Sequence, residues 1–174
     1  TPEMEESYLM TRSAGLFGVA AYLLGTGDTA WFAARAEQIW EAVEFTRALD
    51  ADGDGLIESP RRLGLTGGGQ WASCWWDVIS FGHKDAFSNA ILHPALLRLA
   101  TWYDGQGEEA RAADLRAWAT ALKQAFVPTF LNPDTGWLGG WRSPDDRLHD
   151  YAFLFVNGAA IVGDLLESEL ADDI

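Results

Sequence analysis

The chain has 174 residues and is 48% hydrophobic, which suits one domain with a sizeable core. Its 12 Lys/Arg against 26 Asp/Glu give a formal net charge of −14, a field that repels phosphate backbones, so nucleic acid is not an expected partner. The acid is spread along the chain rather than gathered in a tail, which argues against disorder, Cys74 is the single cysteine, so no internal disulfide can form, and no run of about 18 apolar residues offers a membrane span.

Thr1-Pro2-Glu3 reads as an N-cap, a proline at the first helical position and an acid in the first turn. Leu9, Ser13, Leu16, Ala20 and Leu23 then hold one helical face. Gly25-Thr26-Gly27 stops this helix, and Asp28 or Thr29 caps the next, whose stripe is Phe32, Ala36, Ile39 and Val43, widened by Trp40. From Asp50 to Gly82 the helical pattern fails. A connection of that length with Gly67-Gly68-Gly69 inside it, yet rich in Trp71, Trp75, Trp76 and Phe81, reads as an ordered functional loop.

Helical spacing returns with Phe87, Ala90, Ile91, Pro94 and Leu97. Pro94 conflicts with a helix interior, so the helix either starts near His93 or kinks there. Ala112, Leu115, Ala119, Leu122 and Phe126 form the cleanest stripe, expected to end at Pro128 and Pro133. Residues 127–149 make a second long connection with Trp137, Trp141 and Arg142. Asp150 is then a natural N-cap for a last full helix carrying Phe155, Ala159, Val162 and Leu166. No convincing strand pair stands out, though short strands could sit in the loops. The start lacks a methionine, and Glu167 to Ile174 reads as a helix entering, so the chain is expected to be a piece of a longer protein.

One pattern occurs twice. Gly25 and Gly27 match Gly105 and Gly107, and Gly55 matches Gly136, with helical runs between the two breaks in each copy. Such a duplication points to an array of α-hairpins, in which neighbours bury each other's apolar faces and the loops are free to carry chemistry. In the first copy, Asp50-Ala51-Asp52-Gly53-Asp54-Gly55-Leu56-Ile57 looks like the opening of a calcium loop. Position 12, where calcium needs a bidentate carboxylate, is Arg61, and the second copy at Asn132 to Gly136 lacks the three aspartates, so a helix-ending turn without metal is preferred.

The densest cluster is Trp71 to Asn89. Tryptophan faces suit the C–H faces of sugars, and a carboxyl among aromatics is desolvated, which lets it hold a proton near neutral pH. Asp77, after Trp75 and Trp76, has the setting of a general acid for glycosidic cleavage; the alternative is a capping aspartate beside core tryptophans. Asp85, after Lys84 at an expected helix start, either caps that helix or binds a hydroxyl, with capping preferred. His83 and His93 have no metal-ligand spacing to Cys74 and read as ordinary polar packing. The second cluster, Trp137, Trp141, Arg142 and Asp150, lies at the matching junction of the repeat.

With these residues in view, the chain resembles the six-hairpin glycosidases, whose catalytic domain is an (α/α)6 toroid. The resemblance rests on Asp50 to Ile57, on Trp75-Trp76-Asp77, on Lys84-Asp85-Ala86-Phe87-Ser88-Asn89-Ala90 and on Tyr151 to Ala160 with Val156-Asn157-Gly158. It looks closest to bacterial enzymes of the glucosidase, trehalase and rhamnosidase type, and covers nearly all of this chain but under half of such a toroid. Asp77 matches the general acid of a Glu-Ser-Gly-Trp-Asp-like loop, although Ala72 replaces the glutamate and Cys74-Trp75 the glycine. No position matches the general base.

The resemblance therefore implies an all-α fold of about three hairpins from a toroid, and cofactor-free hydrolysis of an O-glycoside, with inversion. Asp77 would be the acid. Trp75, Trp76, Trp137 and Trp141 would stack on a carbohydrate substrate, and Lys84, Asp85, Arg142 and Asp150 would bind its hydroxyls. The alternatives are a carbohydrate-binding or scaffold piece without catalysis, and a sugar epimerase on a similar toroid, which would use histidine; His83, His93 and His149 are few for that role.

Overall fold

A computed structural model describes residues 8–61, 64–66, 72–74 and 79–174. Its described part is mostly helical. In chain order the helices are α1 (Leu9–Thr26), α2 (Thr29–Ala33), α3 (Ala36–Arg47), α4 (Ala86–Gly105), α5 (Glu109–Phe130), α6 (Leu154–Val162) and α7 (Ser168–Asp173). Three two-residue strands lie between them: β1 (Lys84–Asp85), β2 (Trp141–Arg142) and β3 (Leu148–His149).

The predicted face of α1 is the buried one: Leu9, Ser13, Leu16, Ala20 and Leu23 all point into the core. The helix ends where Gly27 turns left-handed at φ 66° and donates its N–H to the Leu23 carbonyl. Asp28 then caps α2 by accepting from Trp31 N at 2.8 Å. The second helical run is not continuous, because a turn at residues 34 and 35 separates α2 from α3.

α4 lies at the centre, against α1 on one side, α5 on another and α6 on a third. That explains why its burial is not confined to one stripe: Leu92, Leu96, Leu99 and Tyr103 keep one face, while Ala90, His93 and Trp102 are buried on others. It starts at Ala86, well before His93, and runs through Pro94 to Gly105. A proline there leaves the Ala90 carbonyl without its helical partner. Gly163, at the end of α6, comes so close that a Cβ on it would lie 3.0 Å from that carbonyl oxygen. His93 fixes the approach, with Nδ1 2.7 Å from the Gly163 carbonyl.

α5 buries its predicted stripe, Ala112, Leu115, Ala119, Leu122 and Phe126, and continues past Pro128 to Phe130. Two arginines tie it to α3. Arg47 forks onto Asp114 at 3.0 and 2.5 Å and lies over the Trp118 ring, while Arg111 lies over Trp40 and reaches Glu37 at 3.0 Å. α6 departs from expectation. It stops at Val162, which is 88% exposed, and buries Val156, Asn157 and Ala160 rather than the predicted face. Its N-cap is Phe153, not Asp150. The acidic end does enter a helix, α7.

The strands form one antiparallel sheet in the order β1-β2-β3, pairing Lys84 with Arg142, Asp85 with Trp141, and Trp141 with His149. Strands this short do not stand alone. They are fixed from beneath by an aromatic cluster of Phe81, Trp141 and Phe153.

Candidate functional site

The two copies of the repeat meet the helices through one device. Gly55 and Gly136, with φ of 93° and 75°, end the Asp50 and Asn132 turns, and two residues later the chain runs against a buried asparagine. Asn89 on α4 accepts from Ile57 N at 2.8 Å and donates Nδ2 to the Ile57 carbonyl at 3.0 Å and to the Asp85 carbonyl at 2.9 Å. Asn157 on α6 treats Leu138 and Phe153 in the same way, at 3.0, 3.3 and 3.0 Å. A side-chain amide offers one acceptor and two donors, so each asparagine pairs with a whole backbone unit as a neighbouring strand would. Both were present in the quoted motifs, but nothing in their spacing marked them: Ile57 and Asn89 are 32 residues apart, Leu138 and Asn157 only 19.

In the first turn, Asp50 accepts from Gly53 N and Gly55 N at 2.9 Å each, and Asp54 accepts from Leu56 N at 2.9 Å. Lys84 reaches in from β1 and donates to Asp52 at 2.6 Å and to Asp54, with Glu58 3.7 Å away. Asp50, Asp52 and Asp54 are close enough together to suit a cation, but the lysine ammonium already supplies the positive charge there. Burial lowers the Lys84 pKa, and the bonds to Asp52 and Asp54 outweigh it, for a net rise. Burial raises Asp52, and Lys84 turns that into a net fall. Glu58 is raised, mainly by burial.

The sheet sets Arg142 directly beside Lys84. Its Nε donates to the Thr129 carbonyl at 3.0 Å and its guanidinium to Asp146. Adjacent cations repel, and here the carboxylates of Asp52, Asp54, Glu58 and Asp146 balance them. Lys84, Arg142, Asp52, Asp54 and Asp146, with His83, Thr129, Ser143 and Pro144, line a cleft of about 530 Å³. His83 has an unusual φ of 54°, and its Nε2 lies 3.7 Å from Glu58.

A second, smaller cleft of about 380 Å³ brings together Trp137 and Asp150 with Thr135, Tyr151 and Ala152. Asp150 serves this turn rather than a helix. Its Oδ2 accepts from Asn132 Nδ2 at 3.0 Å and Thr135 Oγ1 at 2.7 Å, and its Oδ1 from Ala152 N at 3.0 Å. Tyr151, which the sequence reading did not single out for binding, is 59% exposed.

Two predicted binding residues lie elsewhere. Asp85 is fully buried, caps α4 through Ser88 N at 3.0 Å and accepts from Ser73 Oγ at 2.6 Å, so it takes the capping role. Burial pushes its carboxyl up, with Ser73 and Ser88 opposing. Trp141 is also fully buried, with its ring stacked on His149 at 4.5 Å and its N–H given to the Gly64 carbonyl, so no face of it is open to a sugar. The predicted acid Asp77, with Trp75 and Trp76, lies outside the described residues, as do Trp71, Gly67 to Gly69 and the Thr1-Pro2-Glu3 start. Ser73 and Phe81, which flank that stretch, are joined by a 3.0 Å backbone hydrogen bond.

A larger cavity, about 790 Å³ between α4, α5 and the C-terminal segment, is lined by His93, Lys123 and Leu170 and by none of the predicted substrate-binding residues. Among the described residues no helix is long and apolar enough to cross a membrane. No protein-family model matches the chain, and no curated protein matches it.

Proposed function

We propose that this chain forms part of an O-glycoside hydrolase built on an (α/α)6 toroid. The observation that supports the reading is the cleft of Lys84, His83 and Arg142 with the carboxylates of Asp52, Asp54 and Asp146, to which the first turn and the β2–β3 hairpin both contribute. Paired donors and acceptors of this kind suit a polyhydroxylated ligand, since each hydroxyl both gives and takes a hydrogen bond. In this reading Asp77 protonates the leaving oxygen. A second carboxylate, matched by no position here, activates water on the opposite face at the roughly 6.5–9.5 Å separation of inverting enzymes. No cofactor takes part.

The epimerase alternative is less well supported. His93 is held against the Gly163 carbonyl and His149 against Ser143, both buried, which leaves His83 alone on the polar cleft. A binding piece without catalysis has its own support in the exposed aromatic cleft at Tyr151.

The deciding experiment offers α- and β-linked aryl glycosides and neutral disaccharides, with azide present as a nucleophile that needs no general base, to the wild-type chain and to Asp77→Asn, following glycosidic cleavage and ligand binding separately. Cleavage by the wild type, reduced about 100-fold or more in the variant with binding retained, supports the proposal. Binding without cleavage in both favours the binding piece. Absence of both overturns the carbohydrate reading.

A further inference from the structure

The duplicated turns have diverged in charge. The first is acidic and is closed from within by Lys84, whose ammonium satisfies Asp52 and Asp54. The second is Asn132-Pro133-Asp134-Thr135-Gly136, and the group reaching into it is a carboxylate, Asp150, which among the described residues makes no ion pair. Three donors hold that carboxylate rigidly, all from the same turn or its flank, which leaves it one further acceptor site for an incoming donor. Around it stand two aromatic side chains on the surface rather than in the core: Trp137, half-buried, and Tyr151, 59% exposed. The chain pays a local strain to present them, because Ala152, beside Tyr151, has φ 55°.

We infer that Trp137, Asp150 and Tyr151 form a saccharide subsite for a neutral pyranoside, separate from the Lys84–Arg142 cleft. The choice of a sugar rests on the glycoside reading above; the site itself rests on the cleft geometry. The cleft volume of about 380 Å³ lies at the small end of ligand pockets, a size for one ring. A pyranose has an apolar C–H face for an indole or phenol ring and equatorial hydroxyls at its edge. One hydroxyl can donate to the free site on Asp150 while the ring face packs on Trp137 or Tyr151. A cation is the rival ligand for aromatics beside a carboxylate. The choline arm of the titration tests it.

The test is a fluorescence and NMR titration of the wild-type chain with neutral methyl glycosides and disaccharides, and with choline. It is repeated on Trp137→Ala, Tyr151→Ala, Tyr151→Phe, Asp150→Asn and Arg142→Gln, with folding of each checked by circular dichroism. The inference predicts saccharide binding weakened at least 10-fold in Trp137→Ala, Tyr151→Ala and Asp150→Asn, retained in Tyr151→Phe, and with Tyr151 and Trp137 resonances shifting on titration. Saccharide binding that is lost only in Arg142→Gln overturns the subsite while leaving the glycoside reading intact. Binding lost in the Trp137 and Tyr151 variants, with no glycosidic cleavage by the wild type in azide, keeps the subsite and overturns the hydrolase. Choline binding in place of sugar, or no saccharide binding at all, overturns the subsite.

Discussion

Asn89 and Asn157 each tie a helix to a turn of the repeat. Each sits in the interior, at 0% and 2% exposure, and each satisfies one backbone N–H and two backbone carbonyls. Leaving a buried group unpaired costs about 1–3 kcal/mol, so Asn89→Ala and Asn157→Ala should each lower unfolding free energy by about 2–4 kcal/mol. Urea unfolding of the two variants checks this. Because the two sites do the same thing in each copy, similar losses are expected; a loss below about 1 kcal/mol at either would show that the turn finds other partners. Gly55 adds to the same construction. It needs φ 93°, and a Cβ there would lie 2.6 Å from Leu122 N, so no other residue can bring the Asp50 turn this close to α5.

At the level of elements, local signals were legible and relations between elements were not. The α1 and α5 stripes, the Gly27 stop and the Asp28 cap could be read directly, because a helix with one buried face writes its period into the chain. α4 was legible only in part, because three neighbours bury it on several sides: its deepest stripe is Leu92, Leu96, Leu99 and Tyr103, while Phe87, Ile91, Pro94 and Leu97, read as its stripe, are only half-buried. Pro94 and Pro128 looked like breaks, yet both are inside helices. The three strands are two residues long, too short for any alternation to show. At the site, Lys84, Arg142, Trp137 and Asp150 could be picked by residue type, and two clefts do gather them in pairs. The burial of Trp141 and Asp85 depends on β1–β2 pairing, which spans more than 50 residues of sequence and has no local signature. The α4–α6 crossing gives this a test. Gly163 fits under the carbonyl that Pro94 leaves free, and an added Cβ would lie 2.9 Å from the Ala159 oxygen and 3.0 Å from the Ala90 oxygen. Gly163→Ala should therefore cost about 1–3 kcal/mol through overpacking, read as a lower urea midpoint with an unchanged slope. An unchanged midpoint would mean that α6 shifts freely on α4.

Across the whole molecule the charge balance decides how stability follows pH. A net charge of −14 repels itself, and acidification relieves it; Asp50, Glu58 and Asp85, each raised chiefly by burial, also favour the folded state as they take up protons. The histidines act in the opposite sense. Burial lowers His93, with the Gly163 carbonyl and Asp164 opposing and Lys123 adding to the fall; burial likewise lowers His149, helped by Arg147. A lowered histidine is neutral in the fold while the unfolded chain binds its proton near pH 6.5. Its contribution is thus fully present above that value and is lost as pH falls toward the folded value. The opposed trends would mask each other in the wild type, so the informative quantity is a difference. His93→Asn keeps a donor for the Gly163 carbonyl and removes the titration. It should be less stable than the wild type at pH 7.5 through lost packing, and the gap should narrow steadily as pH is lowered to 5.5. Urea midpoints of the two proteins across that range measure it. A gap that stays constant would show that His93 takes up its proton as readily folded as unfolded, and that the groove beside it, between α4, α5 and α7, admits enough water to solvate the charge.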